Sequence, residues 1–234
     1  MKRSKRYEGA VAQIEEKTYY DLDDAITKLK AVASARFDET AEITLNLGIK
    51  PQQHVVRGTC SLPHGTGKSV RVLVFAKGAN VTEAEEAGAD FVGGDDLAKK
   101  IQDGWLEFDK VVATPDMMPV VGKLGKVLGP RGLMPSPKTG TVTKDVGKMV
   151  EELKKGMVEF RADRYGVVHS VFGKCSFEPE MLKENLITML KSVYEARPEE
   201  GLKGRYMKKI CVSSTMGPGI LLDLGEVSAI TEPG

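Results

Sequence analysis

The strands of this chain come in two styles, and their order along the sequence restricts the fold more than any other feature. Thr40, Glu42, Thr44 and Asn46 alternate with Ala41, Ile43, Leu45, Leu47 and Ile49, the period-two pattern of a strand with one wet and one buried face. By contrast "VRVLVFA" (residues 70–76) is apolar almost throughout, as a strand covered on both faces is. Helical patterns near 82–87 and 95–103 and short apolar strands at 90–93 and 110–114 follow it, which is the alternation of a compact parallel α/β unit. An apolar-periodic stretch through Val120, Leu124 and Val127 comes next, and then a helix carrying Val146, Met149, Val150 and Leu153. The two-faced style then returns at "VEFRAD" (158–163) and "GVVHSVFGK" (166–174), and "YMKKICVSS" (206–214) adds a further strand.

Antiparallel-style strands at both ends of a chain, around a parallel-style middle, predict an inserted domain. Residues 1–66 and 157–234 are expected to form one discontinuous α+β domain, and residues 67–156 an inserted α/β domain. The crossings contain Gly65 and Gly67 on one side and Gly156 on the other, so these three are the hinge candidates. Two helices should cover the terminal sheet. One runs from Leu22 through Ala25, Ile26, Leu29, Val32 and Ala33, with Asp21 placed to cap it. The other carries Met181, Leu182, Leu186, Met189, Leu190, Val193 and Tyr194 on one face.

A net charge of +1 conceals segregation. Residues 83–96 hold six acids and no base, whereas residues 201–222 hold Lys203, Arg205, Lys208 and Lys209 and no acid; Lys2, Arg3, Lys5 and Arg6 open the chain. Cys60, Cys175 and Cys211 are odd in number and far apart, which excludes a fully paired disulfide framework and any C-x-x-C metal knuckle and fits a reducing, cytoplasmic setting. The basic N-terminus lacks an apolar core and no apolar run reaches membrane-spanning length, so neither secretion nor membrane insertion is expected.

Residues 122–143, "GKLGKVLGPRGLMPSPKTGTVT", concentrate five glycines, three prolines and four Lys or Arg, with no carboxylate. Such a density of backbone breakers predicts that regular structure does not persist, leaving a shaped basic loop anchored by Leu124, Val127, Leu128, Leu133 and Met134. Its cations Lys123, Lys126, Arg131 and Lys138 are candidates for phosphate contact.

Motifs for catalysis are weak. "GTGKS" (65–69) has Leu62 where a phosphate-binding loop needs its first glycine, and a strand rather than a helix follows it. A nucleotide-dependent enzyme built on the middle domain is therefore the alternative reading, not the leading one. His54, His64 and His169 are not at metal-ligand spacing, and no nucleophile signature occurs. "SSTMGPG" (213–219) reads either as a tight strand exit or as a patch where Ser213 and Thr215 meet ribose or phosphate and Met216 packs a sugar. Arg36 and Phe37 at a helix exit could join that patch, although a buried phenylalanine is the simpler reading. With aromatics at 6%, recognition of folded RNA by shape and phosphate suits the chain better than base stacking.

In order, "RFDETAEI", "RGTCSLPHGTGK", "ATPDMM", "GKLGKVLGPRGLMPSPKTGTVT", "VHSVFGK" and "SSTMGPG" closely resemble the L-one family of large-subunit ribosomal proteins over nearly the whole length. The resemblance implies a discontinuous split β-α-β domain from both termini and an inserted Rossmann-like domain. It implies a non-enzymatic, cofactor-free and metal-free cytoplasmic protein, monomeric off the ribosome, which binds folded large-subunit rRNA at the mobile stalk among other ribosomal components. Assistance to deacylated tRNA leaving the exit site and repression of its own operon's mRNA are implied too. Carried over by position, the main RNA surface falls on Phe37, Thr40, Ser213, Thr215, Met216 and Gly217, with Arg36 beside it and His169 and Lys174 at its edges. Lys123, Lys126, Arg131 and Lys138 would make a secondary rRNA or tRNA contact.

Overall fold

A computed structural model describes residues 3–15, 18–198 and 204–231, so Lys2, Lys203 and the side chain of Lys138 lie outside the described residues. In chain order the first elements are helix α1 (Lys5–Val11), strand β1 (Tyr19–Tyr20), α2 (Leu22–Val32), β2 (Thr40–Leu47) and β3 (Arg57–Ser61). The middle contributes β4 (Val72–Phe75), α3 (Ala79–Glu86), β5 (Phe91–Gly93), α4 (Asp95–Gln102), β6 (Lys110–Ala113), α5 (Met118–Lys123), α6 (Gly125–Leu128) and α7 (Val146–Lys155). The last elements are β7 (Met157–Arg161), β8 (Val167–Lys174), α8 (Pro179–Glu195), β9 (Met207–Ser214), β10 (Ile220–Leu222) and α9 (Leu224–Thr231). The chain is thus a mixed α and β protein with several sheets. It divides into two compact units, Met1–Gly67 with Val158–Gly234, and Lys68–Met157.

In the first unit, five strands pair in the order β1-β10-β9-β2-β8, antiparallel except for β1 with β10. The alternation in β2 sets which face is buried. Ala41, Ile43, Leu45 and Leu47 point inward with Val168, Phe172, Ile210 and Val212, and meet Leu22, Ile26 and Leu29 of α2 and Leu186, Met189 and Leu190 of α8. Burying each Leu or Ile contributes about 1.5 to 3 kcal/mol, and that is what holds helices to sheet. Asp21 does not cap α2 through its side chain; instead the first amide, Leu22 N, donates to Glu226 Oε2 of α9 at 2.8 Å, a partner from the far end of the chain that local spacing could not reveal. Buried Asn185 of α8 accepts from His64 N at 3.1 Å and donates to Gly65 O and Phe172 O, so the start of "GTGKS" is tied to β8. Gly65 and Gly67 take positive φ, and no helix follows before β4.

In the second unit β4 is flanked by β5 and β6, all parallel. All four residues of β4 are buried, and its faces go to different cores. Leu73 and Phe75 pack with Leu97, Ile101, Val121 and Leu124, whereas Val72 and Val74 pack with Ala84, Val146 and Val150. The near-continuous apolar run follows from helices on both sides. Helix α7 ends at Gly156, whose φ of 110° is a conformation that side chains resist.

The expectation for residues 122–143 needs correction in its first third. Residues up to Leu128 are helical, in α5 and α6, because Val121, Leu124 and Leu128 are fully buried and recur at helical spacing. Gly122 and Gly125 sit on the open side, where a Cβ would meet nothing, and are tolerated there. Irregular chain begins at the prolines, with Gly132 and Gly140 at positive φ.

Candidate nucleic-acid interface

The inward parity of β2 extends one residue back beyond its start, to Glu39. That carboxylate is therefore carried beneath the end of the sheet, where it is 2% exposed. Ser214, the last residue of β9, shares the inward parity of Ile210 and Val212 and arrives at the same point. Ser214 Oγ donates to Glu39 Oε2 at 2.7 Å and Met216 N to the same oxygen at 2.9 Å, while Ala35 N donates to Oε1 at 2.8 Å. The Glu39 carbonyl accepts from Cys175 N at 2.8 Å. One residue thus fastens three segments: the α2–β2 loop, the turn after β8 and the turn after β9. Burial pushes the Glu39 carboxyl up, but donation by Ser214, Ala35, Met216 and Ser34 together outweighs it and holds the group below the ordinary glutamate range.

Around this anchor the structure gathers most of the residues expected from the sequence. Thr215 N donates to Thr40 O at 3.1 Å, and Thr215 Oγ1 accepts from Thr40 N at 2.9 Å. The Thr215 hydroxyl thereby closes the β2–β9 pairing, which is the strand-exit role. Lys174 Nζ donates to Thr40 Oγ1 at 3.0 Å and to Asp38 O at 3.1 Å, and Asp38 accepts from Ser176 N and Oγ. Ser213 faces outward, opposite Glu42. Gly217 is required by close approach, since a Cβ there would strike Ser214 Oγ, the group already bound to Glu39.

Phe37 is 55% exposed and Met216 47%, so the simpler reading of Phe37 as a core residue is wrong. The loop that anchors Glu39 turns the ring into solvent. Arg36 is exposed beside it. His169 lies opposite Thr44, with Nδ1 3.2 Å from Thr44 Oγ1, and is exposed. It sits roughly 13 Å along the strand from Thr40 and belongs to the open face of the sheet, apart from the anchored turns. In the other unit Lys123, Lys126 and Arg131 are exposed, on α5, on α6 and in the turn that follows.

Chemistry beyond binding has little footing in this patch. Burial, reinforced by Glu39 and Asp38, pushes the Cys175 thiol up to about 11, so it stays protonated at neutral pH. Cys60 and Cys211 are pushed up by burial as well. Among the described residues no group of three His, Cys, Asp or Glu could hold a metal, and no described helix is long and apolar enough to cross a membrane.

An open, pre-ordered patch with two presented apolar side chains, flanking cations and strand-edge hydroxyls suits a folded polyanion, which is met by shape and backbone contact. Surfaces of that kind occur on RNA-binding proteins. Residues 29–218 match the model of the Ribosomal protein L1p/L10e family, which covers most of the chain. The chain belongs to that family, whose members are structural RNA-binding proteins of the ribosome.

Proposed function

We infer that this protein binds a folded segment of large-subunit rRNA through the unit formed by its two chain ends. The compact units would act as two domains, the terminal one gripping rRNA at a mobile stalk and the Rossmann-like middle one free to follow a ligand. The observation that carries this reading is the Glu39 anchor, which orders Phe37 and Met216 at the surface without burying either. A buried carboxylate network stabilises the fold and also rigidifies the loops it joins, and loops held on a rigid scaffold are where binding residues are disproportionately carried. A pre-ordered surface avoids the entropy of arranging loops upon binding, which favours a tight complex.

The family likeness supports two further roles: assisting deacylated tRNA to leave the exit site, with Lys123, Lys126, Arg131 and Lys138 as its contact, and repressing the protein's own operon mRNA. The second follows if the mRNA and rRNA share the fold that the patch reads. Affinity for a large-subunit rRNA fragment tests the reading directly. Phe37→Ala and Met216→Ala should each weaken binding by roughly 1 to 3 kcal/mol, the scale of stacking and packing contacts to RNA. Wild-type affinity in both variants would remove the patch from the interface.

A further inference from the structure

The parallel sheet of the middle unit closes one of its edges and leaves the other open. On the β6 side Val142 bridges to Ala113, with Ala113 N donating to Thr141 O at 3.0 Å and Thr143 N to Ala113 O at 3.2 Å. On the other side β5 pairs with β4 alone. Asp90 N donates inward to Val72 O at 3.0 Å, so the amide of Phe91, next along an extended strand, is turned to the free edge. Such an edge is a template for a further strand, and proteins commonly blunt it with lysine or proline. Phe91, Val92 and Gly93 offer neither.

Beside that edge lies a groove of about 500 Å³, lined by Phe91, Leu97, Lys100, Asp103 and Trp105. Trp105 is the chain's single tryptophan, and its ring meets Phe91 edge to face with centres 4.7 Å apart. Both rings stay half-buried. Phe91 packs on the same side of the sheet as Leu73 and Phe75, so a strand laid along β5 would turn alternate side chains toward the groove. Charge selects what that strand would be. Between Glu83 and Phe108 eight acids stand against two bases, Lys99 and Lys100. Glu83 is engaged by Gly147 N at 3.1 Å, Asp90 by Lys154 at 3.3 Å and Asp95 by Lys77 at 3.6 Å. Glu85 and Glu86 end the helix that leads into β5, Asp96 opens the helix that leads away, and Asp103 and Glu107 flank Trp105; these five are exposed. A second copy of the chain, or a nucleic acid, would bring like charge to this edge, whereas a cationic segment is drawn to it.

We propose that the open edge of β5 docks a basic, extended segment of a partner protein, which adds to the parallel sheet as a fourth strand and sets an aliphatic side chain in the groove at Trp105. Main-chain hydrogen bonds to the edge would supply affinity, and the groove and the acids around it would supply selectivity. The site lies in the middle unit and owes nothing to the RNA-binding patch, so it would give this unit a protein partner of its own.

The test uses the full chain, in which the single tryptophan reports on the groove, and two synthetic heptapeptides: one alternates Lys and Val around a central Leu, and the other has Glu in place of Lys. The basic peptide should move Trp105 emission to the blue and saturate, more tightly at low salt, and the acidic one should leave it unchanged. In the variant Glu85→Gln/Glu86→Gln/Asp96→Asn, all at exposed positions, the basic peptide should bind at least about threefold more weakly. That variant should keep wild-type affinity for an rRNA fragment, so this inference and the RNA-binding reading fail separately. The basic peptide N-methylated at every residue keeps its charge but has no amide to donate, and it should lose binding. If it binds as tightly as its parent, the attraction is ionic only and strand addition is overturned. No response to the basic peptide, or a response to a deoxythymidine heptanucleotide in its place, overturns the partner class. A blue shift on raising the protein concentration alone, with doubled mass by light scattering, assigns the edge to a second copy and overturns the proposal.

Discussion

Replacing Glu39 by glutamine keeps the shape of the side chain and removes its charge and one of its two acceptors. The carboxylate accepts from Ala35 N on one oxygen and from Ser214 Oγ and Met216 N on the other. If the glutamine carbonyl keeps the Ser214 and Met216 bonds, its amide group faces the Ala35 N–H, and a buried donor is orphaned at about 1 to 3 kcal/mol. The two bonds that survive lose their charge-assisted share, about 1 kcal/mol each, and the easier burial of a neutral group returns part of that. A net loss of roughly 2 to 4 kcal/mol follows at pH 7 for the unit that contains the patch. Because the native carboxyl is held below its ordinary range, its contribution is complete above the unfolded glutamate value near pH 4 and disappears as pH falls through the lower native value. Urea unfolding of both proteins should therefore show a gap at pH 7 that shrinks below roughly pH 4. RNA affinity should fall alongside, since Ala35 and Met216 lose their common anchor. Equal stability at pH 7, or a gap that does not change on acidification, would refute the reasoning.

Gly217→Ala should destabilise the same turn by about 1 to 3 kcal/mol, because the new Cβ drives Ser214 Oγ off Glu39; thermal unfolding and RNA titration would report it, and unchanged affinity would mean the turn adapts. Residues 1–66 joined to 157–234 by a short linker should keep most rRNA affinity, as measured by filter binding, since the anchored segments all belong to these stretches; a folded product that does not bind contradicts that. Lys123→Gln/Lys126→Gln/Arg131→Gln should leave rRNA affinity within about twofold and weaken binding of tRNA, with the tRNA salt slope reduced by roughly 0.7 to 0.9 for each phosphate no longer neutralised.

Periodicity carried most of the architecture into view, and where it failed the reason is local. Strands β1, β5 and β10 have two or three residues each, too few for a period to register, and of these the sequence points only to β5, on the strength of its apolar run. The helical turns through Leu128 were masked by glycine and proline counts, although Leu124 and Leu128 stand four apart as a helix requires. Helix α1 has Ala10 as its one buried residue and so shows no apolar stripe. Residue pattern offered Phe37 to the Met216 patch only beside the simpler reading of a buried ring, since an exposed phenylalanine and a buried one look alike in sequence; the family likeness favoured the first. Glu39 was legible after all: the parity that turns Ala41, Ile43 and Leu45 inward also turns Glu39 inward, and a carboxylate on the apolar face needs donors. Identifying those donors, on turns far away in the chain, required the fold.

Hydrogen–deuterium exchange of the full chain, with and without a large-subunit rRNA fragment, tests the central claim most directly. The account predicts added protection at residues 34–40 and 213–219, with a smaller change at 169–176 and none across 70–113. Protection confined to residues 122–143, or spread evenly over the chain, would contradict it.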